Sequence, residues 1–175
     1  MHRILTGLLL ALAVSALPAL GQPSWQNQLA VTGGPQFPTE NFEERFDTGG
    51  GLALTYYSRP SSHFFLGLRG GYHRFEAQAG DATLNVIPLH IASKYNFSLT
   101  GLQPYLGLDG GVYLLRPDGG EDNSEFGVAP KFGFRVPIAF GVDLDLNATY
   151  EVVFTEPENT TYVGLNAGIA YIFGQ

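Results

Sequence analysis

The segment that ends this chain alternates strictly between two kinds of side chain. One set of positions is apolar, and the positions between them carry mostly small or polar residues. The apolar positions are Val163, Leu165, Ala167, Ile169, Tyr171 and Phe173. Alternation with a period of two predicts a β-strand with two different faces. The same alternation recurs in seven earlier segments, so the sequence predicts an all-β fold of eight strands.

The start of the chain is typical of an exported protein. A basic residue, Arg3, precedes an apolar run that ends at Leu17, and small residues follow it. This pattern predicts a signal peptide over residues 1–21 and leaves residues 22–175 as one β-domain. The run is too short and too interrupted for a transmembrane helix, and no later stretch is apolar enough to form one.

Composition excludes several classes of protein. The chain contains no cysteine, which rules out a disulfide framework and thiol chemistry. A formal net charge of −7 disfavours binding to nucleic acid, so no nucleic-acid partner is expected. The 23 glycines and an aromatic content of 13% fit many short strands better than helices.

Turn signals connect the eight segments in two different ways. Three connections, at 59–62, 98–101 and 137–139, are short and nearly uncharged, whereas those at 38–47, 77–82, 116–124 and 155–159 are acidic and mostly longer. An up-and-down barrel with both termini at one end produces this alternation. The segments also reach the ~9–11 residues that a tilted strand needs to cross a membrane. The prediction is an eight-stranded antiparallel up-and-down transmembrane β-barrel.

Charge separates the two faces of these strands. The apolar faces carry no charged residue, whereas the opposite faces carry strong bases and acids in equal number. If the apolar faces meet lipid, the charged groups line the lumen and balance there. The predicted lumenal charge belt comprises Arg69, His90, Lys94, Asp109, Lys131, Arg135, Asp143, Asp145 and Glu151.

Hairpin geometry predicts which members of the belt meet. Residues on adjacent strands lie opposite one another, and the centre of each turn sets the register. With symmetric turns at 98–101 and 137–139, the predicted neighbours are Arg69 with His90, His90 with Asp109, Asp109 with Lys131, Arg135 with Asp143, and Lys131 with Asp145, with Asn166 closing the belt. A slip in register would change these partners.

The end of the last strand carries a specific pattern of residues, Asn166, Gly168, Tyr171 and Phe173. The pattern resembles the assembly signal of bacterial outer-membrane β-barrels, although Gly174 and Gln175 follow the final Phe here. Over its mature length, the chain resembles the small eight-stranded outer-membrane family typified by the OmpA transmembrane domain and OmpX. The resemblance implies an integral outer-membrane protein with both termini in the periplasm and a lumen too narrow for a general porin. Its implied partners are membrane lipid and the barrel assembly machinery.

The residues do not predict an enzyme, a cofactor or a metal. His90 and Ser93 are three positions apart on a strand and therefore point to opposite faces. His90 with Asp109 lacks a nucleophile, so an ion pair is the preferred interpretation of that pair. Residues 143–147 resemble a calcium motif only superficially, because on a strand their inward side chains face a narrow lumen. No phosphate-binding loop or metal-ligand spacing appears.

One functional interpretation is a structural or surface-interaction barrel. Its acidic loops would bind a surface ligand, or divalent cations that bridge to envelope polyanions. The residues predicted to form this surface are Phe42, Glu43, Glu44, Phe46, Asp118, Glu121 and Asp122.

Two alternatives remain open from the sequence. The first is a small-solute or cation-leaning pore, in which lumenal glycines leave space for passage. Those glycines are Gly67, Gly71, Gly107, Gly111, Gly127, Gly133, Gly164 and Gly168. The second is a soluble lipocalin-like barrel, which would reverse the strand faces and bind an apolar ligand among inward leucines.

Overall fold

The computed structural model describes residues 26–174, which consist almost wholly of β-strands. The strands are β1 (Asn27–Thr39), β2 (Gly49–Ser58), β3 (Phe64–Glu76), β4 (Thr83–Asn96), β5 (Gln103–Pro117), β6 (Asn123–Ala139), β7 (Val142–Val153) and β8 (Thr160–Phe173). Each strand pairs antiparallel with its sequence neighbours, and β1 also pairs with β8, which closes the barrel. This confirms the predicted fold class. The predicted signal peptide lies outside the described residues.

The two faces of the strands differ as the alternation predicts. Outward side chains are apolar and open to the surroundings, for example Leu52 at 65%, Leu68 at 58% and Ile91 at 58% exposure. Inward side chains include many buried polar and charged groups. A soluble barrel would place the leucines inside and the charges outside. The lipocalin-like alternative is therefore wrong.

Short turns and longer loops lie at opposite ends of the barrel. The turns that follow β2, β4 and β6 share one end with the start of β1 and the end of β8, and we call it the turn end. The other connections form the loop end, which includes a short 3-10 turn at Glu40–Phe42. Within the described chain, no helix has the length and apolar character needed to cross a membrane.

One predicted turn is displaced. The sequence predicts a turn at 137–139, but β6 continues to Ala139 and the chain reverses at Phe140 and Gly141. Gly141 has a φ of +69°, a conformation that glycine adopts without a steric penalty. The register of β6 against β7 shifts beside this turn, between Pro137 and Ala139.

The register of β4 against β5 is also displaced from the prediction. The sequence predicts His90 opposite Asp109, but Ala92 pairs with Asp109 instead. The reason lies in the turn, where the Phe97 N–H donates to the Pro104 carbonyl at 2.9 Å. The centre of the turn is therefore one residue later than a symmetric turn at 98–101 requires, and each partner moves by two positions.

Candidate functional site

All nine residues of the predicted charge belt have their side chains inside the barrel, and none is more than 8% exposed. They come from five consecutive strands, β3 to β7. Buried charges are stable only when they are paired or hydrogen-bonded. The contacts that they make therefore decide what the lumen can do.

Asp109 is the centre of the ionic contacts in the middle of the lumen. Its Oδ2 lies 2.7 Å from Lys131 Nζ and 3.5 Å from Arg69 Nη1. Arg69 Nη1 also lies 2.9 Å from Glu151 Oε1, and Lys131 Nζ donates to the Tyr57 hydroxyl at 2.7 Å. We call these five residues the central network. It joins β2, β3, β5, β6 and β7 across the lumen, so it cross-links most of the barrel.

The structure brings Asp109 and Lys131 together by a diagonal contact. Asp109 lies opposite Ala129 in the strand register, two residues from Lys131. The long lysine side chain spans this offset, as diagonal neighbours in a sheet can do. Arg69 and His90 lie opposite each other as predicted, but Arg69 forms its closest ion pair with Glu151, which the hairpin geometry did not pair with it.

His90 and Glu151 both contact Tyr113. The Tyr113 hydroxyl donates to Glu151 Oε2, and the His90 ring packs edge-on against the Tyr113 ring with centroids 4.6 Å apart. Neither ring nitrogen of His90 has a hydrogen-bond partner among the described residues. The predicted ion pair between His90 and Asp109 is therefore wrong.

A second polar group occupies the lumen at the turn end. Arg135 Nη1 lies 3.5 Å from Asp143 Oδ2, which brings together the predicted neighbours Arg135 and Asp143. Lys94 Nζ donates to Gln28 Oε1 at 2.8 Å and lies 4.3 Å from the centre of the Tyr57 ring. Two further rings, Phe65 and Tyr105, stand about this ammonium, so Lys94 is stabilised by cation–π contacts.

Two further belt positions depart from their predicted contacts. Lys131 aligns with Thr149 rather than Asp145, and the Asp145 carboxylate accepts hydrogen bonds from Tyr105 and Asn147 at 2.7 and 2.9 Å. Asn166 donates to Asn147 Oδ1 at 3.2 Å. It is therefore hydrogen-bonded to the residues around Asp145 and is not part of the central network. The predicted pair of Lys131 with Asp145 is wrong because the turn after β6 is displaced.

Aromatic residues close the lumen at the loop end. Phe42, Phe75, Tyr113 and Tyr162 are almost fully buried, and Phe46 packs against them. We call these five residues the aromatic plug. The Phe42 and Phe75 rings meet edge to face with centroids 5.0 Å apart, a favourable geometry for aromatic pairs.

The loop between β1 and β2 turns inward to supply Phe42. Its position is set by the 3-10 turn and by hydrogen bonds from Asn41 to Glu158 at 2.6 Å and from Thr161 to Glu40 at 3.3 Å. Phe42 is only 5% exposed. The prediction that Phe42 and Phe46 present an exposed binding surface is therefore wrong, because burial of their rings over the barrel mouth is favoured.

The space above the lumenal glycines is occupied by neighbouring side chains or by the backbone of an adjacent strand. A Cβ added to Gly127 or to Gly133 would lie 2.5 Å from the ring of Tyr113 or Tyr105 respectively. At Gly107, it would meet the Lys131 side chain at 2.6 Å. These glycines therefore make room for large inward side chains and do not open a passage.

The described residues leave little empty volume in the middle of the lumen. A cavity of about 20 Å³ lies between Tyr57, Arg69, Tyr105, Lys131 and Thr149. A cavity that holds one water needs ~10–15 Å³ measured in this way. The middle of the lumen therefore has room for about one water molecule.

The residues of the predicted assembly signal divide between the two faces of β8. Tyr171 and Phe173 point outward and stack with centroids 5.9 Å apart. Gly168 lies so close to β1 that an added Cβ would collide with the Val31 carbonyl oxygen. Asn166 points inward, as described above.

Two arrangements of side chains bear on catalysis and metal binding in the described residues. Within residues 26–174, no three His, Asp or Glu side chains are grouped so that they could hold a metal ion. Ser62 Oγ lies 2.9 Å from His63 Nδ1, but the pair is in an exposed turn and the His63 ring stacks on Tyr95 with centroids 5.6 Å apart.

Comparisons with known proteins agree on one architecture. A family model described as "Outer membrane protein beta-barrel domain" matches residues 6–173. No curated protein sequence matches the chain. The fold is similar to that of Neisserial surface protein A, with a TM-score of 0.66 and 18% identity over 87% of this chain and 99% of that one.

Two further solved structures share the fold. OprG, an outer membrane protein of Pseudomonas aeruginosa, has a TM-score of 0.56 and 14% identity over 89% of this chain and 99% of its own. Ail of Yersinia pestis, solved in complex with the heparin analogue sucrose octasulfate, has a TM-score of 0.53 and 14% identity over 86% of this chain and 100% of its own. At these identities, the likeness concerns the fold alone.

Proposed function

Because this chain belongs to the outer membrane protein β-barrel domain family, we propose that it is an integral outer-membrane barrel that does not conduct and acts through its loop surface. A signal peptide over residues 1–21 directs its export. Both termini and the turn end face the periplasm, and the loop end faces the exterior.

The observation that carries this proposal is the filled lumen. The central network cross-links the middle of the barrel, and the aromatic plug covers its outer mouth. A hydrated ion would have to displace buried, hydrogen-bonded charges to pass, which is energetically costly. A pore is therefore the weaker alternative.

The chemistry of the loop surface indicates the kind of partner. Most of the chain's 16 acidic residues lie in the loops, where all of the following are exposed: Glu40, Glu43, Glu44, Asp47, Asp81, Asp118, Glu121, Asp122, Glu156 and Glu158. Arg45 is the basic residue among them. Such a surface attracts cations and repels anions. A sulfated ligand such as the one bound to Ail is therefore disfavoured here.

Divalent cations can bridge the carboxylates of this surface to the phosphates of lipopolysaccharide. Carboxylate and phosphate oxygens are both hard ligands of the kind that Ca²⁺ and Mg²⁺ bind. We therefore expect cation-bridged contact between the loops and the lipopolysaccharide around the barrel, which makes the protein a structural or surface-interaction component of the envelope.

Binding to lipopolysaccharide vesicles tests the surface role. Wild-type protein in detergent should bind in the presence of millimolar Ca²⁺ and release when the cation is chelated. A variant with Glu43→Gln, Glu44→Gln, Glu121→Gln and Asp122→Asn should bind severalfold more weakly. The variant Arg45→Gln is the opposite control, since loss of a loop base should strengthen binding. Equal binding by all three proteins, or binding that is independent of Ca²⁺, would contradict the proposal.

Planar bilayer recording tests the closed lumen. Purified wild-type protein should give no stable single-channel steps in potassium chloride. The variant Phe42→Ala removes the ring that joins the aromatic plug from the first loop, and it should also give no steps, because the central network still fills the middle of the lumen. Phe154→Ala, which removes an outward ring that is 46% exposed at the same end, is the matched control. Regular steps from the wild type would support the pore alternative instead.

A further inference from the structure

A second cavity lies at the turn end of the lumen, away from the central network and the aromatic plug. Its volume is about 60 Å³, several times the ~10–15 Å³ that one water molecule requires. Gln28, Gln103 and Arg135 line it from the strands, and Arg59 lines it from the turn after β2. The cavity therefore combines buried amide groups with two guanidinium groups.

Two hydrogen-bond donors on residues that line this cavity lack an acceptor. The Oε1 of Gln28 accepts from both Lys94 Nζ and Arg135 Nη1 at 2.8 Å, and Gln103 Oε1 accepts from Arg135 Nη2 at 2.8 Å. Two donors are left over, Gln28 Nε2 and Arg135 Nε, which have no hydrogen-bond partner among the described residues. Both residues are at least 98% buried, with exposures of 1% and 2%.

The orientation of the Gln28 amide is fixed by its neighbours. An amide flip would turn its NH₂ group toward two cationic donors, so the oxygen must face Lys94 and Arg135. The nitrogen is consequently held away from them. A buried donor without an acceptor is destabilising, which means that this site is incomplete without a group that accepts hydrogen bonds.

The charges around the cavity favour a negative occupant. Three bases lie at this end, Arg59, Lys94 and Arg135, against the carboxylates of Asp143 and Asp145. Asp143 lies 3.5 Å from Arg135 Nη1, and Asp145 lies opposite Arg135 in the register. One positive charge is therefore left without an acidic counterpart.

From these contacts, we propose that the cavity is a binding site for a small monovalent anion of the chloride type, which accepts hydrogen bonds from Arg135 Nε and Gln28 Nε2 and is attracted by Arg59. The site opens to the turn end, so its ligand comes from the periplasm. It is independent of the loop surface and of conduction.

Nuclear magnetic resonance of the full chain in detergent micelles tests this site. Sodium chloride is titrated in place of sodium gluconate at constant ionic strength, because gluconate is too large for the cavity. The Arg135 Nε–Hε signal, identified by its absence from the Arg135→Lys variant, and the Gln28 side-chain amide signals should shift in a saturable way with chloride.

Two variants separate specific binding from general screening. Arg59→Gln should weaken the apparent chloride affinity roughly fivefold, the effect of one partly exposed charge contact. Arg116→Gln removes a base on β5 near the loop end, whose side chain is 52% exposed, and should leave the affinity unchanged. Signals that do not saturate, or equal effects of the two variants, would overturn the proposal and identify the occupant as water.

Discussion

Asp109 is the residue whose charge matters most to the stability of the barrel. It is fully buried and bonded to Lys131, and its Oδ2 also faces Arg69. Asp109→Asn keeps the shape of the side chain but leaves two buried cations with one fewer counter-charge. Removal of one partner from a buried ion pair costs about 3–5 kcal/mol. We expect the free energy of unfolding, measured with urea in detergent, to fall by that amount.

An exposed ion pair provides the control for this prediction. Asp122 lies 3.2 Å from Arg116, but their side chains are 67% and 52% exposed. Exposed pairs contribute only about 0–1 kcal/mol, so Asp122→Asn should unfold at nearly the wild-type urea concentration. In the Asp109→Asn background, Lys131→Met should recover part of the lost stability because it removes an unpaired charge. Equal midpoints for Asp109→Asn and Asp122→Asn would contradict a stabilising central network.

At the scale of the strands, two glycines of β3 differ in the room around them. The backbone of β2 lies close to one, whereas the other has space for a side chain. An added Cβ at Gly67 would collide with the Tyr56 carbonyl oxygen of β2, whereas at Gly70 the nearest atom is Leu89 Cδ2 at 3.8 Å. Gly67→Ala should therefore lower the stability by about 1–3 kcal/mol, as overpacking does. Gly70→Ala should be neutral or stabilise by up to ~1 kcal/mol. The measurement is the urea midpoint, and a Gly67→Ala protein as stable as wild type would show that β2 and β3 can move apart.

The strands also show how far the sequence predicts this fold. Strand positions and facings follow from local patterns, since each outward leucine and each inward charge obeys the same alternation. The register does not follow from such patterns, because it depends on the backbone conformation of the turns at Gly101 and Gly141. A symmetric turn places the centre of each reversal one or two residues away from its observed position. A rule that pairs only directly opposite residues does not predict diagonal contacts, such as that of Lys131 with Asp109.

The sequence does not predict the aromatic plug, for a different reason. Nothing in the loop sequence distinguishes an aromatic that faces solvent from one that folds over the barrel mouth. Phe42 is buried because Phe75, Tyr113 and Tyr162 lie inward at the ends of three separate strands. The alternation of each strand places those three residues on its inward face. That pattern is a signal in the sequence for an apolar surface at the loop end, against which Phe42 can pack.

At the scale of the whole molecule, the closed barrel predicts heat-modifiable migration. All eight ladders, including that of β1 with β8, must break together before the chain can expand. Unboiled protein refolded in detergent should migrate faster on a gel than boiled protein, and the Asp109→Asn variant should lose the fast band at a lower temperature. Identical migration of boiled and unboiled wild-type protein would argue against the closed barrel.

Assembly in cells tests the predicted role of the final strand. Phe173→Ala should reduce the amount of folded barrel in the outer membrane severalfold while leaving refolding in detergent unchanged, since no assembly machinery acts there. Phe97→Ala is the control, because this ring is also outward at the turn end, with 54% exposure against 38% for Phe173. If both variants accumulate equally, the final Phe has no special part in assembly.

The charges of the molecule are unequally divided along the barrel axis. The lumen holds bases and acids in equal number, and the acidic residues outside it are concentrated at the loop end. Copies inserted in the same direction therefore present like-charged surfaces to one another, and these repel over about one Debye length, ~8 Å at physiological ionic strength. The lateral spacing of the protein in its membrane should thus shrink as divalent ions are added, and crowded patches should disperse when those ions are removed.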